Sequence, residues 1–336
     1  MSNRRYYDPE FPLSRGAELN FVVGGRGIGK TYGFKKLVLD RCAQNGTEFI
    51  WLRRFNTELR PARTTFLDDL PGEYAVQYKF GHGGLRVAGD EGEKDGRIIG
   101  YFMSLSTAAS QKSVAFPRVE YIIYDEVIAP AGRRYLPDEP AQYLSFYSTV
   151  ARNRTGVIGV FLGNAESVMC PYYAAWGIEP WTGQRITRYH DGYLLYERAP
   201  DWRDEAPTRS EKFLAAVNPD LWDYAVANKY RDEGGEMLAK KQPTNARPWA
   251  VFVFPEMQIG VFHAPGGKWW CGKGAPTGTP RVAMHPAAVG PDSPMADATT
   301  PILLAARAGM MRGDMMFQDA RIRGMMWQGV GVKKWV

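Results

Sequence analysis

Cysteine and histidine are scarce, with three of one and four of the other in 336 residues. Cys42, Cys170 and Cys271 lie far apart and form no C-x-x-C pair. That excludes zinc-type ligand spacing and a disulfide framework, and it leaves reduced thiols as the natural reading. No run approaches ~18 consecutive apolar residues, so no membrane-spanning helix is expected. The opening Met1-Ser2-Asn3-Arg4-Arg5 leads into tyrosine and proline where a signal peptide would have an apolar core. No internal repeat is visible. The charge excess is small as well: +6 at neutral pH, with a pI near 9.1, permits a polyanionic partner without demanding one. Against these shortages, 45% hydrophobic and 13% aromatic residues supply a folded core for one large domain or two modest ones.

Glycine, by contrast, is plentiful, and one cluster of it carries a motif. Gly24-Gly25-Arg26-Gly27-Ile28-Gly29-Lys30-Thr31 is a complete G-x-x-x-x-G-K-[ST] phosphate-binding loop. An apolar strand, Leu19 to Val23, precedes it, and a helical pattern from Tyr32 to Ala43 follows. The glycines let the backbone curl so that several N–H groups face one anion, and the helix N-terminus adds its dipole. In such a loop Lys30 reaches the β- and γ-phosphates and Thr31 offers its hydroxyl to Mg²⁺. The expected ligand is a nucleoside triphosphate with Mg²⁺.

Tyr121-Ile122-Ile123-Tyr124-Asp125-Glu126 is an apolar run ending in two acids. It suits a strand buried on both faces of a parallel sheet, delivering both carboxylates to the edge where ligands of open α/β sheets bind. Asp125 is the candidate Mg²⁺ partner, and Glu126 is the candidate base that orients the attacking water. A carboxylate base points toward ATPase motors and away from small GTPases. Downstream, Leu144, Tyr147, Val150 and Ala151 recur at helical spacing before Arg152-Asn153-Arg154. Val157 to Leu162 then reads as another buried strand, ending in Gly163-Asn164-Ala165. Asn164 fits a residue that binds the attacking water or senses the γ-phosphate, and equally a helix N-cap. Arg152 and Arg154 fit arginine fingers, and equally cations at a helix C-terminus.

These motifs, with Phe49-Ile50-Trp51-Leu52-Arg53-Arg54-Phe55 between them, come in an order that resembles the DNA-packaging (encapsidation) ATPases of small, short-tailed, protein-primed bacteriophages. The resemblance covers roughly residues 15–200. It implies an additional-strand (ASCE) P-loop ATPase that uses ATP and Mg²⁺ and forms a homo-oligomeric ring, a pentamer by analogy. Such a motor docks on a viral portal in the host cytoplasm and drives double-stranded DNA into the procapsid, with a structural RNA as a further partner and no membrane. By the same resemblance Lys30 and Thr31 bind phosphate and metal, and Arg152 acts in trans across the ring. Lys112, in Ser110-Gln111-Lys112-Ser113, matches another basic position near the subunit interface, although an exposed lysine in a polar loop explains it too. Arg53 and Arg54 end an expected strand, where they contact nucleotide or DNA or are simply solvated. Two other classes compete: a different ASCE translocase or helicase, and a small-molecule kinase or nucleotide switch. A kinase would need a lid with clustered arginines, which is not found, and a switch would not need Glu126.

The expected organisation is α/β. Residues 1–204 form the ATPase domain, with a mostly parallel sheet covered on both faces. Candidate strands are 18–23, 48–53, 74–79, 97–104, 119–125 and 157–162. Gly81 to Gly96 reads as an exposed hairpin or loop, and His190-Asp191-Gly192 as a hairpin turn between Arg185–Tyr189 and Tyr193–Glu197. A helical linker is expected over 205–246, divided at Asn218-Pro219. Residues 247–336 are expected to be a small α+β domain resembling a degenerate RNase-H-like nuclease, with strands at 249–254 and 257–262. A nuclease needs several carboxylates around metal ions. Glu256, Asp292, Asp297, Asp314 and Asp319 are available, but only Glu256 lies beside a clear strand, so no nuclease activity is expected. The methionines of the tail suit core filling. Its basic residues, Arg321 and Arg323 among them, suit portal or nucleic-acid docking, or a solvated surface.

Overall fold

The structure, a computed structural model, describes residues 6–89, 96–111, 115–129, 134–164, 170–178, 180, 184–200, 212–213, 216–217, 239–297, 299–311 and 314–331. The chain divides into two compact units. The first comprises Met1–Ser167 and Thr182–Asp232, the second Val168–Trp181 and Glu233–Val336.

The first unit is built on a sheet whose described strands are β1 (Leu19–Gly24), β2 (Glu48–Arg53), β3 (Tyr78–Gly81), β4 (Gly84–Val87), β5 (Ile98–Ser104), β6 (Val119–Asp125), β7 (Ile158–Asn164), β8 (Ile186–Tyr189) and β9 (Leu194–Arg198). They lie in the order β3-β4-β5-β2-β6-β7-β1-β9-β8. The six central strands, from β5 to β9, pair in parallel, and antiparallel hairpins close both edges. The key feature is that β7 lies between β1, which feeds the glycine-rich loop, and β6, which ends in the acids.

Strand alternation sorts the core into two layers. Val22, Trp51, Ile123 and Val160 pack with Phe34, Val38 and Cys42 of α2 (Lys30–Asn45) on one face. On the other, Phe21 stacks on Phe161 at 4.2 Å, and Phe161 meets Tyr143 of α5 (Glu139–Ala151) at 4.5 Å. Helices α1 (Glu10–Leu13), α3 (Asn56–Thr64) and α4 (Gly72–Gln77) also belong to this unit.

Two expectations are corrected here. Residues 74–79 are not a strand: α4 runs to Gln77 and β3 begins at Tyr78. Pro71 and Gly72 open the helix, Glu73 complements its N-terminus, and only Tyr74 is buried, while Val76 is left to solvent. In α5, Tyr147, Val150 and Ala151 are buried as expected, but Leu144 is not. Tyr143, Phe146, Tyr147 and Val150 face the core, and Leu144 is exposed. The spacing i, i+3, i+4, i+7 is kept, but the aromatics set its phase. The Asp-Gly hairpin forms as expected, with His190, Asp191 and Gly192 all at positive φ between β8 and β9.

The second unit has a sheet of order β13-β10-β11-β12-β14, from β10 (Arg247–Val253), β11 (Gln258–His263), β12 (Trp269–Lys273), β13 (Arg281–Ala283) and β14 (Met315–Phe317). β10, β11 and β12 form an antiparallel meander, with β13 parallel to β10 and β14 parallel to β12. Met310, Met315, Met325 and Met326 are buried in its core with Phe252, Val261 and Phe317, which is the packing role expected of them. Helices α7 (Pro301–Met311) and α8 (Ala320–Met326) cover the sheet. The domain boundary at 204 is too simple, because Val168–Trp181 belongs to this second unit. Its helix α6 (Pro171–Trp176) packs against α8, which spacing along the chain does not reveal. The expected linker helices lie largely outside the described residues, as does Lys112. Among the described residues, no helix is long and apolar enough to cross a membrane.

Candidate nucleotide site

The site lies at the carboxyl edge of β1, β6 and β7. Parallel register aligns Gly24 with Asn164, and Asp125 with Leu162, so the three strand ends converge. Gly27 and Gly29 take φ values of +77° and +90°, the left-handed region that glycine adopts without strain, and the loop curls from β1 into α2. The Lys30 ammonium is buried inside that curl, donating to the carbonyls of Gly24 (3.1 Å) and Gly25 (2.7 Å) and to Asn164 Oδ1 (3.3 Å). Thr31 Oγ1 donates to Asp125 Oδ1 at 3.3 Å. A pocket of about 180 Å³ opens here, lined by Lys30, Thr31, Arg53, Asp125, Glu126, Leu162, Gly163 and Asn164.

The electrostatics are tightly opposed. Burial pushes the Asp125 carboxyl above its ordinary value, and the Arg53 guanidinium pulls it part of the way back. Arg53 forks across both acids, with Nη2 to Asp125 at 3.0 Å and Nη1 to Glu126 at 2.7 Å. Asp125 is nearly closed off, whereas the Glu126 side chain is 52% exposed and faces the pocket. Glu126 itself sits at φ +59°, a left-handed conformation that costs a non-glycine residue ~1–2 kcal/mol. A part-buried hydroxyl beside a carboxylate suits a hard cation, and an ammonium in a glycine-rich loop suits phosphate, so Thr31, Asp125 and Lys30 fit Mg²⁺ and a triphosphate.

The other candidates separate by environment. Asn164 lines the pocket, and among the described residues the next helix, α6, has Cys170 and not Asn164 at its N-cap. Ile28 is buried, and Arg26 is exposed on the loop. Arg54 is not solvated and is not among the residues lining this pocket: it is buried on the far side of the Glu126 turn, bound to Glu139. Neighbouring positions at a strand end point to opposite sides, and only Arg53 faces the pocket. Arg154 is engaged within its own chain. Its guanidinium donates to the carbonyls of Phe116, Pro117, Val119, Val150 and Ala151, which ties off the end of α5. Arg152 is exposed, at φ +42° on the helix cap, and is not among the residues lining this pocket.

Sequence reasoning missed an N-terminal brace. Tyr7 N–H donates to Ile28 O at 3.0 Å, and Tyr7 Oη donates to Glu197 of β9 at 2.5 Å. Arg185 also binds Glu197, whose carboxyl burial pushes up. The brace joins residues far apart in sequence, and no local pattern marks them.

Sheet order, loop and converging acids define the class: a mixed α/β protein with a glycine-rich loop at the edge of a large, mostly parallel sheet. More narrowly, the chain belongs to the Podovirus DNA encapsidation protein (Gp16) family, whose family model matches residues 1–245. It is 34% identical over 264 residues to the DNA packaging protein of Bacillus phage phi29, an alignment that covers 78% of this chain and 76% of that one. The fold is similar to that of the bacteriophage phi29 viral genome packaging motor assembly, with a TM-score of 0.71 at 24% identity, covering 96% and 98% of the two chains. The crystal structure of the N-terminal domain of the phi29 DNA packaging ATPase matches with a TM-score of 0.53 at 33% identity, over 60% of this chain and 99% of that one.

Proposed function

We propose that this chain is the ATP-hydrolysing subunit of a ring-shaped ASCE-type motor that drives double-stranded DNA through the portal into a viral procapsid. The observation that carries the reading is the convergence of Lys30 and Thr31 with Asp125 and Glu126 across the intervening strand β7, in a chain of the encapsidation family. Lys30 and the loop amides bind the β- and γ-phosphates of ATP. Thr31 and Asp125 would hold Mg²⁺, which would supply positive charge against the phosphates. Glu126, half exposed and directed at the pocket, orients the attacking water, and Asn164 stands beside the γ-phosphate position. Arg152, exposed and away from its own pocket, serves the site of the neighbouring subunit. The motor works at the portal vertex within the host cell, with a structural RNA as an additional partner of the ring.

In the second unit, we read residues 247–336 as a nuclease-like relic without cutting activity. Among the described residues, no cluster of three His, Cys, Asp or Glu is placed to hold a metal. Three of the five carboxylates also have structural partners: Asp319 caps α8, Asp314 pairs with Lys268, and Asp297 binds Thr299 and Thr300. Arg323 is buried, so it is not part of a docking surface.

The deciding experiment is ATP-dependent packaging of linear DNA into purified procapsids, with and without this protein. Nuclease-protected DNA that requires both the protein and ATP supports the motor. ATP hydrolysis without any protected DNA, at procapsids competent with another motor, would refute it.

A further inference from the structure

The turn after β6 presents Glu126 in a left-handed conformation, and such a turn holds its shape only if the surroundings enforce it. Two tethers act on the peptide that follows. Val127 N–H donates to Leu162 O of β7 at 3.0 Å, and Val127 O accepts from Arg54 Nη2 at 2.6 Å. Arg54 Nη1 makes a longer contact, 3.4 Å, with Glu126 O itself. Arg54 is in turn fixed by Glu139. Its Nε donates to Glu139 Oε2 at 2.8 Å, and its guanidinium lies over the Tyr135 ring at 4.6 Å. Glu139 is fully buried and saturated, also accepting from Tyr124 Oη at 2.7 Å and from Leu136 N–H at 2.8 Å. Neither Arg54 nor Glu139 lines the nucleotide pocket.

We propose that Arg54 and Glu139 are positioning residues for hydrolysis, clamping the turn from behind so that the Glu126 carboxylate stays aimed at the water site. This rests on the hydrolase reading above. The pair divides labour with its neighbour in sequence, since Arg53 meets the Glu126 side chain in front and Arg54 holds the backbone behind. Without Arg54 the Val127 peptide keeps only its bond to Leu162 O. Glu126 retains its N–H bond to Asp125 Oδ1 at 3.1 Å and its side-chain ion pair with Arg53. Its own carbonyl and the next lose their support from behind, which lets the strained residue relax toward the right-handed region. Glu139 also begins α5, the helix that ends at Arg152, so the clamp and the exposed arginine share one rigid element.

The test is the double variant Arg54→Met/Glu139→Gln, chosen because removing one partner alone would leave a buried unpaired charge. Turnover is measured beside the binding of a fluorescent, non-hydrolysable ATP analogue, with thermal melting to confirm the fold and Glu126→Gln as a control. The expected result is a kcat at least about tenfold lower with analogue Kd within about threefold of wild type. Arg54→Lys, whose single ammonium lacks the guanidinium fork, is expected to fall between. A folded double variant with wild-type kcat would overturn the assignment, as would loss of affinity in proportion to turnover. Where the double variant does not melt cooperatively, Arg54→Lys decides by the same two readouts. A wild-type chain without turnover would overturn the hydrolase reading and the clamp with it. Active wild type beside an equally active double variant removes the clamp alone.

Discussion

Glu126→Gln separates charge from shape at the point where hydrolysis is expected to be controlled. Glutamine keeps the volume of the side chain and leaves the left-handed turn intact. The lost interaction is the 2.7 Å ion pair with Arg53, but the Glu126 side chain is 52% exposed. Exposed pairs contribute ~0–1 kcal/mol, so the melting temperature should fall by no more than a few degrees. Arg53 retains Asp125, and Thr31 with Asp125 keeps the metal site. Nucleotide affinity should therefore stay within a few-fold of wild type. Turnover should drop by about 10²–10⁴, because the residue that receives the water's proton is gone. At ~1.36 kcal/mol per decade that is roughly 3–5 kcal/mol of transition-state stabilisation. The assay is phosphate release at saturating Mg-ATP, beside a fluorescent-nucleotide titration and a melt. A kcat within tenfold of wild type, or affinity lost along with turnover, would refute the role given to Glu126.

Other outcomes follow from the same geometry. Lys30→Ala removes a buried ammonium aimed at phosphate. With charged hydrogen bonds contributing ~1.5–3 kcal/mol, ATP affinity should fall roughly ten- to hundredfold, and an unchanged titration would contradict the loop assignment. Burial pushes the Cys42 thiol up to about 11, so at neutral pH it holds almost no thiolate and should resist alkylation until the chain unfolds; rapid labelling of the folded protein at Cys42 would contradict the packing of α2. The full chain should not nick supercoiled plasmid in Mg²⁺ or Mn²⁺, and nicking abolished by one Asp→Asn change in residues 247–336 would overturn the relic reading. Arg152→Ala mixed with Glu126→Gln should recover hydrolysis that neither shows alone, since one mixed interface then holds a complete site; no recovery would return Arg152 to an ordinary helix-end cation.

The amino-acid sequence by itself determined the parts whose chemistry is local. A glycine-rich loop between strand and helix, an apolar run ending in two acids, and an asparagine at the end of the next buried strand are all written within a few residues. Backbone freedom, strand burial and strand direction act over that same range. Tertiary structure alone decided the partnerships. Arg53 and Arg54 are adjacent and chemically alike, yet alternation at the end of β2 sends one to the acids and the other into a buried clamp with Glu139, 85 positions away. Arg152 and Arg154 look equivalent as a motif until the reversal after α5 folds Arg154 back onto five carbonyls and leaves Arg152 outside. Residues 168–181 follow a strand of the first unit but pack in the second, where α6 lies beside α8 and buries Tyr172 and Tyr173. Periodicity records which faces are buried; it does not record what they are buried against, and that choice is made only when distant segments meet.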